Sequence, residues 1–179
     1  MKNPKQTASQ AKSPAKKEII IPICQNRRAT FDYFIEKRIE TGIELLGSEV
    51  KSCRQGKVQL VDSFAQVEND QCYLFKAHIA EYKQGGPYFN HTPVRKRKLL
   101  LHKREIRNLQ ALSDRQGYTL VPLRMYFKNG KAKVEIGLGK GKTQGDKRSS
   151  IKEREDAVQM DKAVKRRLSS RSSSSYDDE

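Results

Sequence analysis

The chain has 179 residues, carries 37 Lys+Arg against 21 Asp+Glu for a formal charge of +16, and is 35% hydrophobic with no Trp. That composition suits one modest core with solvated ends, and the charge suits a polyanionic partner. It argues against a membrane protein, because the longest apolar runs, Ile19–Ile23 and Leu99–Leu101, fall far short of the ~20 residues a spanning helix needs.

Residues 1–17 hold five lysines, Pro4 and Pro14 and no acid, so they are predicted to be a disordered basic tail drawn to phosphate. They contain no apolar h-region of a secretory signal, which predicts a cytoplasmic protein. Order is expected over residues 18–139. Phe31–Ile39 fits helical spacing (Phe31, Phe34, Ile35, Ile39) and also alternation (Phe31, Tyr33, Ile35, Ile39). Its β-branched and aromatic content favours a strand, which Thr41-Gly42 is expected to turn into Ile43–Leu46. Gly47–Gly56 reads as a short helix with Ser48 as N-cap, Glu49 in the first turn and Gly56 as its stop. Val58–Glu68 and Gln71–Tyr82 read as an antiparallel pair across Asn69-Asp70.

Lys83–Thr92 is a predicted loop, followed by the basic Arg95–Lys98 and the apolar Leu99–Leu101. His102–Gln116 is the strongest predicted helix, with Ile106, Leu109 and Leu112 on one side and Gly117 at C′. Tyr118–Phe127 and Lys131–Gly139 flank Lys128-Asn129-Gly130, and Asn-Gly between alternating runs is a strong hairpin signal. The whole is mainly β: many short antiparallel strands with about two short helices, which fits a small closed barrel of the OB type. Residues 140–168 then carry ten Lys/Arg, five Asp/Glu and a thin apolar stripe of Ile151, Val158, Met160, Val164 and Leu168. Such a basic tail gains helical stability from a partner rather than from itself. Residues 169–179 are a serine-rich end predicted to be disordered.

No cluster in this chain calls for catalysis. Gly141-Lys142-Thr143 resembles the end of a phosphate-binding loop, but the glycine such a loop needs five positions earlier is Ile136. His78, His91 and His102 show no metal-ligand spacing, and Cys24, Cys53 and Cys72 form no C-x-x-C. The expectation is therefore a binding protein without cofactor or metal. Asn26-Arg27-Arg28, the Arg95–Lys98 run with Arg97 and Lys98, and Lys140–Lys142 can converge on one phosphate-facing surface. Tyr33, Tyr82, Tyr88 and Phe89 offer faces for base stacking. These features alone predict a basic RNA binder of unspecified target.

Several stretches carry a more specific resemblance. They are Asn26-Arg27-Arg28-Ala29, Gly42-Ile43-Glu44-Leu45 leading into Gly47-Ser48-Glu49-Val50-Lys51-Ser52, Arg97-Lys98-Leu99-Leu100-Leu101, Ile136-Gly137-Leu138 with Gly139-Lys140-Gly141-Lys142, and Asp146-Lys147-Arg148 before Ile151-Lys152-Glu153-Arg154-Glu155. In this order and spacing the chain resembles the SsrA-binding (small protein B) family over most of residues 19–165. The resemblance implies an OB-type barrel that holds the tRNA-like domain of transfer-messenger RNA, in a monomeric factor of trans-translation. It implies that Asn26, Arg28, Tyr33, Glu40 and Leu100 contact that RNA, with Lys140 and Lys142 beside it. It further implies a tail disordered when free and helical in the vacant mRNA path at the decoding centre of the small ribosomal subunit. There Asp146, Lys147, Arg148, Ile151, Lys152, Arg154 and Lys162 would meet the ribosome, and elongation factor Tu with GTP would ride on the same RNA. Gly145 stands where many relatives have a histidine. A general single-strand RNA-binding OB protein is the competing expectation.

Overall fold

The computed structural model describes residues 18–86, 88–114 and 117–173. The predicted tail 1–17, the end 174–179 and Gln116 lie outside the described residues. In chain order the strands are β1 (Ile20–Gln25), β2 (Tyr33–Ile43), β3 (Val58–Gln59), β4 (Phe64–Glu68), β5 (Gln71–Phe75), β6 (His78–Ile79), β7 (Arg97–Leu100), β8 (Tyr118–Lys128) and β9 (Lys131–Gly141). The helices are α1 (Arg27–Asp32), α2 (Gly47–Arg54), α3 (Lys103–Ser113) and α4 (Gln144–Ser173), with one 3₁₀ turn at Lys83–Gly85.

The main sheet has seven strands in the order β1-β8-β4-β5-β7-β2-β9, and a further β8–β9 pairing returns that order upon itself. Every pairing is antiparallel. The β8–β9 hairpin sets the frame. Asn129 (φ 49°) and Gly130 (φ 77°) both sit in the left-handed region, and Lys128 opposes Lys131, as a two-residue type I′ turn requires. From there the register runs unbroken to Pro122 opposite Ile136, save one bulge. The inward residues Leu74, Leu99, Leu120, Met125, Val134 and Ile136 are buried, and with Leu109 from α3 they form one core.

The observed elements depart from the sequence reading where a side chain or tertiary contact outweighs local pattern. Phe31 lies in α1, because the Asn26 side chain caps a helical turn by accepting from the Ala29 amide at 3.2 Å. Thr41-Gly42 does not turn the chain. β2 runs straight through it, with Gly42 opposite both Leu100 and Lys133. The glycine is there because β7 comes close: a Cβ on Gly42 would lie 3.1 Å from the Leu100 Cβ. Ser48 is not the cap of α2, whose N-cap is Leu46. Glu49 accepts from the Leu46 amide at 2.7 Å, and Ser48 bonds the His91 ring instead at 3.0 Å. The predicted strands Val58–Glu68 and Gln71–Tyr82 each break, at Asp62 (φ 59°) and Lys76 (φ 55°), leaving β3 to pair with β6 apart from the main sheet.

α4 begins on a reciprocal cap. Asp146 accepts from the Thr143 amide at 3.0 Å and hydroxyl at 2.7 Å, and its own amide points back to that hydroxyl at 3.4 Å. The helix continues past Leu168 into the serine-rich end. Its stripe residues Ile151, Val158, Met160 and Val164 are exposed. Among the described residues no helix is long and apolar enough to cross a membrane.

Candidate nucleic-acid interface

Two surfaces collect the predicted residues. The first is a groove of 560 Å³ where the end of β7 meets β2 and the start of α3, lined by Glu40, Lys98, Leu100, His102, Lys103 and Lys133 among others. Leu100 is 54% exposed. An apolar side chain left bare between cations offers packing to an unstacked base. Glu40 beside it does not swing free. Its carboxylate accepts from the Tyr126 hydroxyl at 2.5 Å and lies 3.5 Å from Lys128 and 3.6 Å from Lys133. The Tyr126 hydrogen bond and the two ammonium groups hold Glu40 below the ordinary carboxylate range. Burial and the Glu40 carboxylate push the Tyr126 phenol up to about 12. Glu40 is therefore held in place as an ionised acceptor, the chemistry that base amino groups or a 2′-OH call for.

The second surface is the edge formed by α1, the start of β2 and the end of β9. Arg28 lies over it, 63% exposed, paired with Asp32 at 3.2 Å and reaching Asp62 at 3.9 Å. Arg28, Tyr33, Asp62 and Phe64 line a cleft of 290 Å³. Arg27 is exposed beside Arg28 and Lys140 is exposed opposite Phe34 of β2, while Lys142 is spent on local contacts. Its ammonium donates to the Thr30 carbonyl and the Ser150 hydroxyl, each at 3.2 Å, and sits 4.7 Å over the Phe34 ring.

Tyr33 is half-buried against Ala29, Val121 and Leu123. It fits because position 139 is glycine: a Cβ there would stand 2.9 Å from the Tyr33 Cβ and 3.2 Å from the Ile35 Cδ1. Gly139→Ala is expected to lose about 1–3 kcal/mol in a urea melt as β2 and β9 are forced apart. An unchanged midpoint would mean the strand pair has slack there.

Two of the residues expected to contact RNA are buried in the chain. Asn26 is 5% exposed. Its amide donates to the Leu60 carbonyl at 2.9 Å and the Pro122 carbonyl at 3.1 Å while its oxygen caps α1, so its polar atoms hold Arg27 and Arg28 in place from the floor of the same cleft. Arg97 is fully buried. Its guanidinium donates to Glu49 at 2.9 Å and to the carbonyls of Ala77, Arg95 and Pro93, an arrangement that leaves no face for phosphate. Within the basic run only Lys98 of the predicted pair reaches the groove.

In the tail, Asp146 is consumed by its capping role, and the Thr143 bonds hold its carboxyl below the ordinary range. Lys147 turns back to α1 and donates to Asp32 at 2.7 Å. Arg148, Ile151, Lys152 and Lys162 are exposed, and the Arg154 side chain lies outside the described residues. A Cβ at Gly145 would meet only the Thr143 hydroxyl at 3.8 Å, so nothing at that atom demands a glycine.

The remaining chemistry is structural. His91 is buried between Ser48 and the Ile79 carbonyl. Burial raises the thiols of Cys24 and Cys72 to about 11 and that of Cys53 to about 12. Among the described residues no group of His, Cys, Asp and Glu is placed to hold a metal. Sequence reasoning missed Asp32, Tyr126, Lys128 and Lys133. The last three were within reach, because a two-residue turn at Asn129-Gly130 fixes Tyr126 opposite Lys133 and alternation puts Lys128 on the same face.

The geometry has close counterparts. The family model described as SmpB protein matches residues 23–166. The SsrA-binding protein of Chloroflexus aurantiacus is 54% identical over 144 residues, 80% of this chain and 90% of its own length. That of Shouchella clausii is 49% identical over 82% of this chain and 93% of its own length. A solved chain from work described as "tmRNA-SmpB: a journey to the center of the bacterial ribosome" aligns with a TM-score of 0.60 at 47% identity, covering 73% of this chain and 94% of that one. A match that spans the closed sheet, both candidate surfaces and most of the tail places this chain in the SmpB family.

Proposed function

We propose that this protein is an RNA-binding factor of trans-translation. It takes the tRNA-like domain of transfer-messenger RNA on an OB-type barrel, the closed ring of strands. It then delivers that RNA to a stalled ribosome and fills the vacant mRNA path with its tail. What supports the reading is the groove in which an exposed Leu100 and a locked Glu40 stand between Lys98 and Lys133. A groove of that makeup distinguishes a shaped RNA from a random one, since cations alone would bind any phosphate chain. Its partners are transfer-messenger RNA and the small ribosomal subunit. Elongation factor Tu with GTP joins through the same RNA, the protein acts as a monomer in the cytoplasm, and no catalytic step is its own.

The test is a competition at fixed salt between transfer-messenger RNA and a length-matched unstructured RNA, run on the wild-type chain, Glu40→Arg and Leu100→Asp. The wild type is expected to prefer transfer-messenger RNA by several orders of magnitude. Each variant is expected to lose at least about tenfold of that preference, in line with the ~1–3 kcal/mol a stacked base supplies, while binding to the unstructured RNA changes little. Equal losses on both RNAs would leave a general single-strand binder.

A further inference from the structure

Away from both surfaces, the segment between β6 and β7 carries the two barest aromatic rings among the described residues. Tyr88 is 93% exposed and Phe89 is 83% exposed. Solvent-exposed aromatics on a slack loop would mean little, but the base of this one is built. Asn90 closes it: its oxygen accepts from the Tyr82 amide at 2.9 Å, and its amide donates to the carbonyls of Tyr82 at 3.1 Å and Gly86 at 3.3 Å. The next residue, His91, is anchored in the interior. The rings therefore stand on a fixed stem rather than folding back onto the sheet.

The surroundings identify the chemistry that would cover them. From Tyr82 to Arg104 the chain carries no acid, the exposed Glu81 standing just before it at the loop's start, and the buried Glu49 is spent on Arg95 and Arg97. Lys51 lies 5.1 Å over the Tyr82 ring. Lys57 is exposed, and its carbonyl accepts from Ala80 at the loop's entrance. Lys83 is exposed in the loop itself. Bare rings on a loop that carries an exposed lysine, with two more lysines at its base, are the makeup of a surface that stacks bases and neutralises the flanking phosphates. A protein partner would more naturally ask for acids or an apolar rim. The loop enters β7 at Arg97, and the groove lies at the other end of that strand, at Leu100. An RNA seated at the groove leaves the loop free.

We infer that Tyr88 and Phe89 form a second RNA contact, stacking on unpaired bases of ribosomal RNA while the first RNA occupies the Glu40–Leu100 groove. The contact rests on the RNA-binding reading above, yet fails separately from it. The experiment compares the full chain with a Tyr88→Ala/Phe89→Ala variant and a Tyr88→Phe/Phe89→Tyr variant, at one salt concentration. It measures affinity for vacant ribosomes, affinity for transfer-messenger RNA, and chemical reactivity of ribosomal RNA bases.

The alanine variant is expected to bind ribosomes at least about tenfold more weakly, as the loss of stacked bases implies. It should expose specific bases that the wild type shields, and keep its transfer-messenger RNA affinity and melting temperature, since neither ring is buried. The aromatic-for-aromatic variant should restore both ribosome readouts. Unchanged ribosome affinity overturns the inference. So does a loss that falls on transfer-messenger RNA instead, or a ribosome loss with no newly reactive base, which would make the occupant a protein. Failure of the wild type to prefer transfer-messenger RNA would sink the broader reading and not this contact.

Discussion

A chain ending at Gln144 is expected to keep its affinity for transfer-messenger RNA and to lose tagging of stalled peptides altogether. The groove and the α1 edge draw their residues from positions up to Lys142, and among the described residues no strand lies beyond Gly141. What the truncation removes is a helix whose apolar stripe faces solvent, with Met160 at 71% exposed, and whose exposed Arg148, Lys152 and Lys162 await an anion.

The tail's hold on the body is slight. Lys147–Asp32 is a partly exposed pair, worth well under about 1 kcal/mol, so the melting temperature should barely move. A helix this poorly docked would gain its order from a partner, and the vacant mRNA path proposed above is one of the right charge. The measurement is tagging in a reconstituted translation system stalled on an mRNA without a stop codon, with RNA affinity measured in parallel. Tagging that survives the truncation would sever the tail from the mechanism. Loss of RNA affinity along with tagging would mean that the two surfaces are not independent.

What the sequence allowed to be read follows from how local each cause is. The β8–β9 hairpin was legible because Asn129-Gly130 dictates its own turn, and α3 because Ile106 and Leu109 mark one face, although the helix ends at Ser113 with Asp114 as its cap and not at Gly117. Asn69-Asp70 likewise gave the β4–β5 turn, with both residues at positive φ. The failures have distant causes. Gly42 looks like a turn until β7 is laid against it, and Arg97 looks like a phosphate ligand until Glu49 arrives from α2.

The same holds for the site. Leu100, Glu40 and Lys98 do share a groove, but that Glu40 is clamped depends on β9 lying beside β2, with Glu40 opposite Glu135. Two carboxylates so placed repel each other unless each has its own cations. Glu135 takes Arg124 at 2.6 Å and Arg38 at 3.5 Å, leaving Lys128 and Lys133 for Glu40. No local pattern encodes that division.

Glu49→Ala should be the most damaging single substitution to stability, at about 3–5 kcal/mol, because it strips a buried arginine of its counter-charge. Glu49 is 0% exposed. One oxygen accepts from Arg95 Nε at 2.8 Å and Arg97 Nε at 2.9 Å, the other from Arg95 at 2.6 Å and the Leu46 amide at 2.7 Å. The carboxylate thus caps α2 and pins β7 to it through Arg97, whose remaining donors reach carbonyls on either side of β6.

Burial alone would raise the Glu49 pKa. The Arg95 and Leu46 hydrogen bonds, with the charges of Arg97 and Arg95, outweigh it and hold the group below its ordinary 4.5. A carboxylate depressed in the folded state lends its stability above the unfolded pKa and forfeits it as pH falls through the folded value. The wild type should therefore lose stability steadily below about pH 4.5, and Glu49→Ala, already without the group, should show a flatter acid limb in urea titrations at stepped pH. Glu49→Gln, which keeps the shape but not the charge, should fall between the two at neutral pH. If alanine costs no more than glutamine, the buried charge rather than the capping shape holds α2 to β7. If neither costs more than about 1 kcal/mol, water reaches Arg97 in solution and the interior around it is looser than its burial implies.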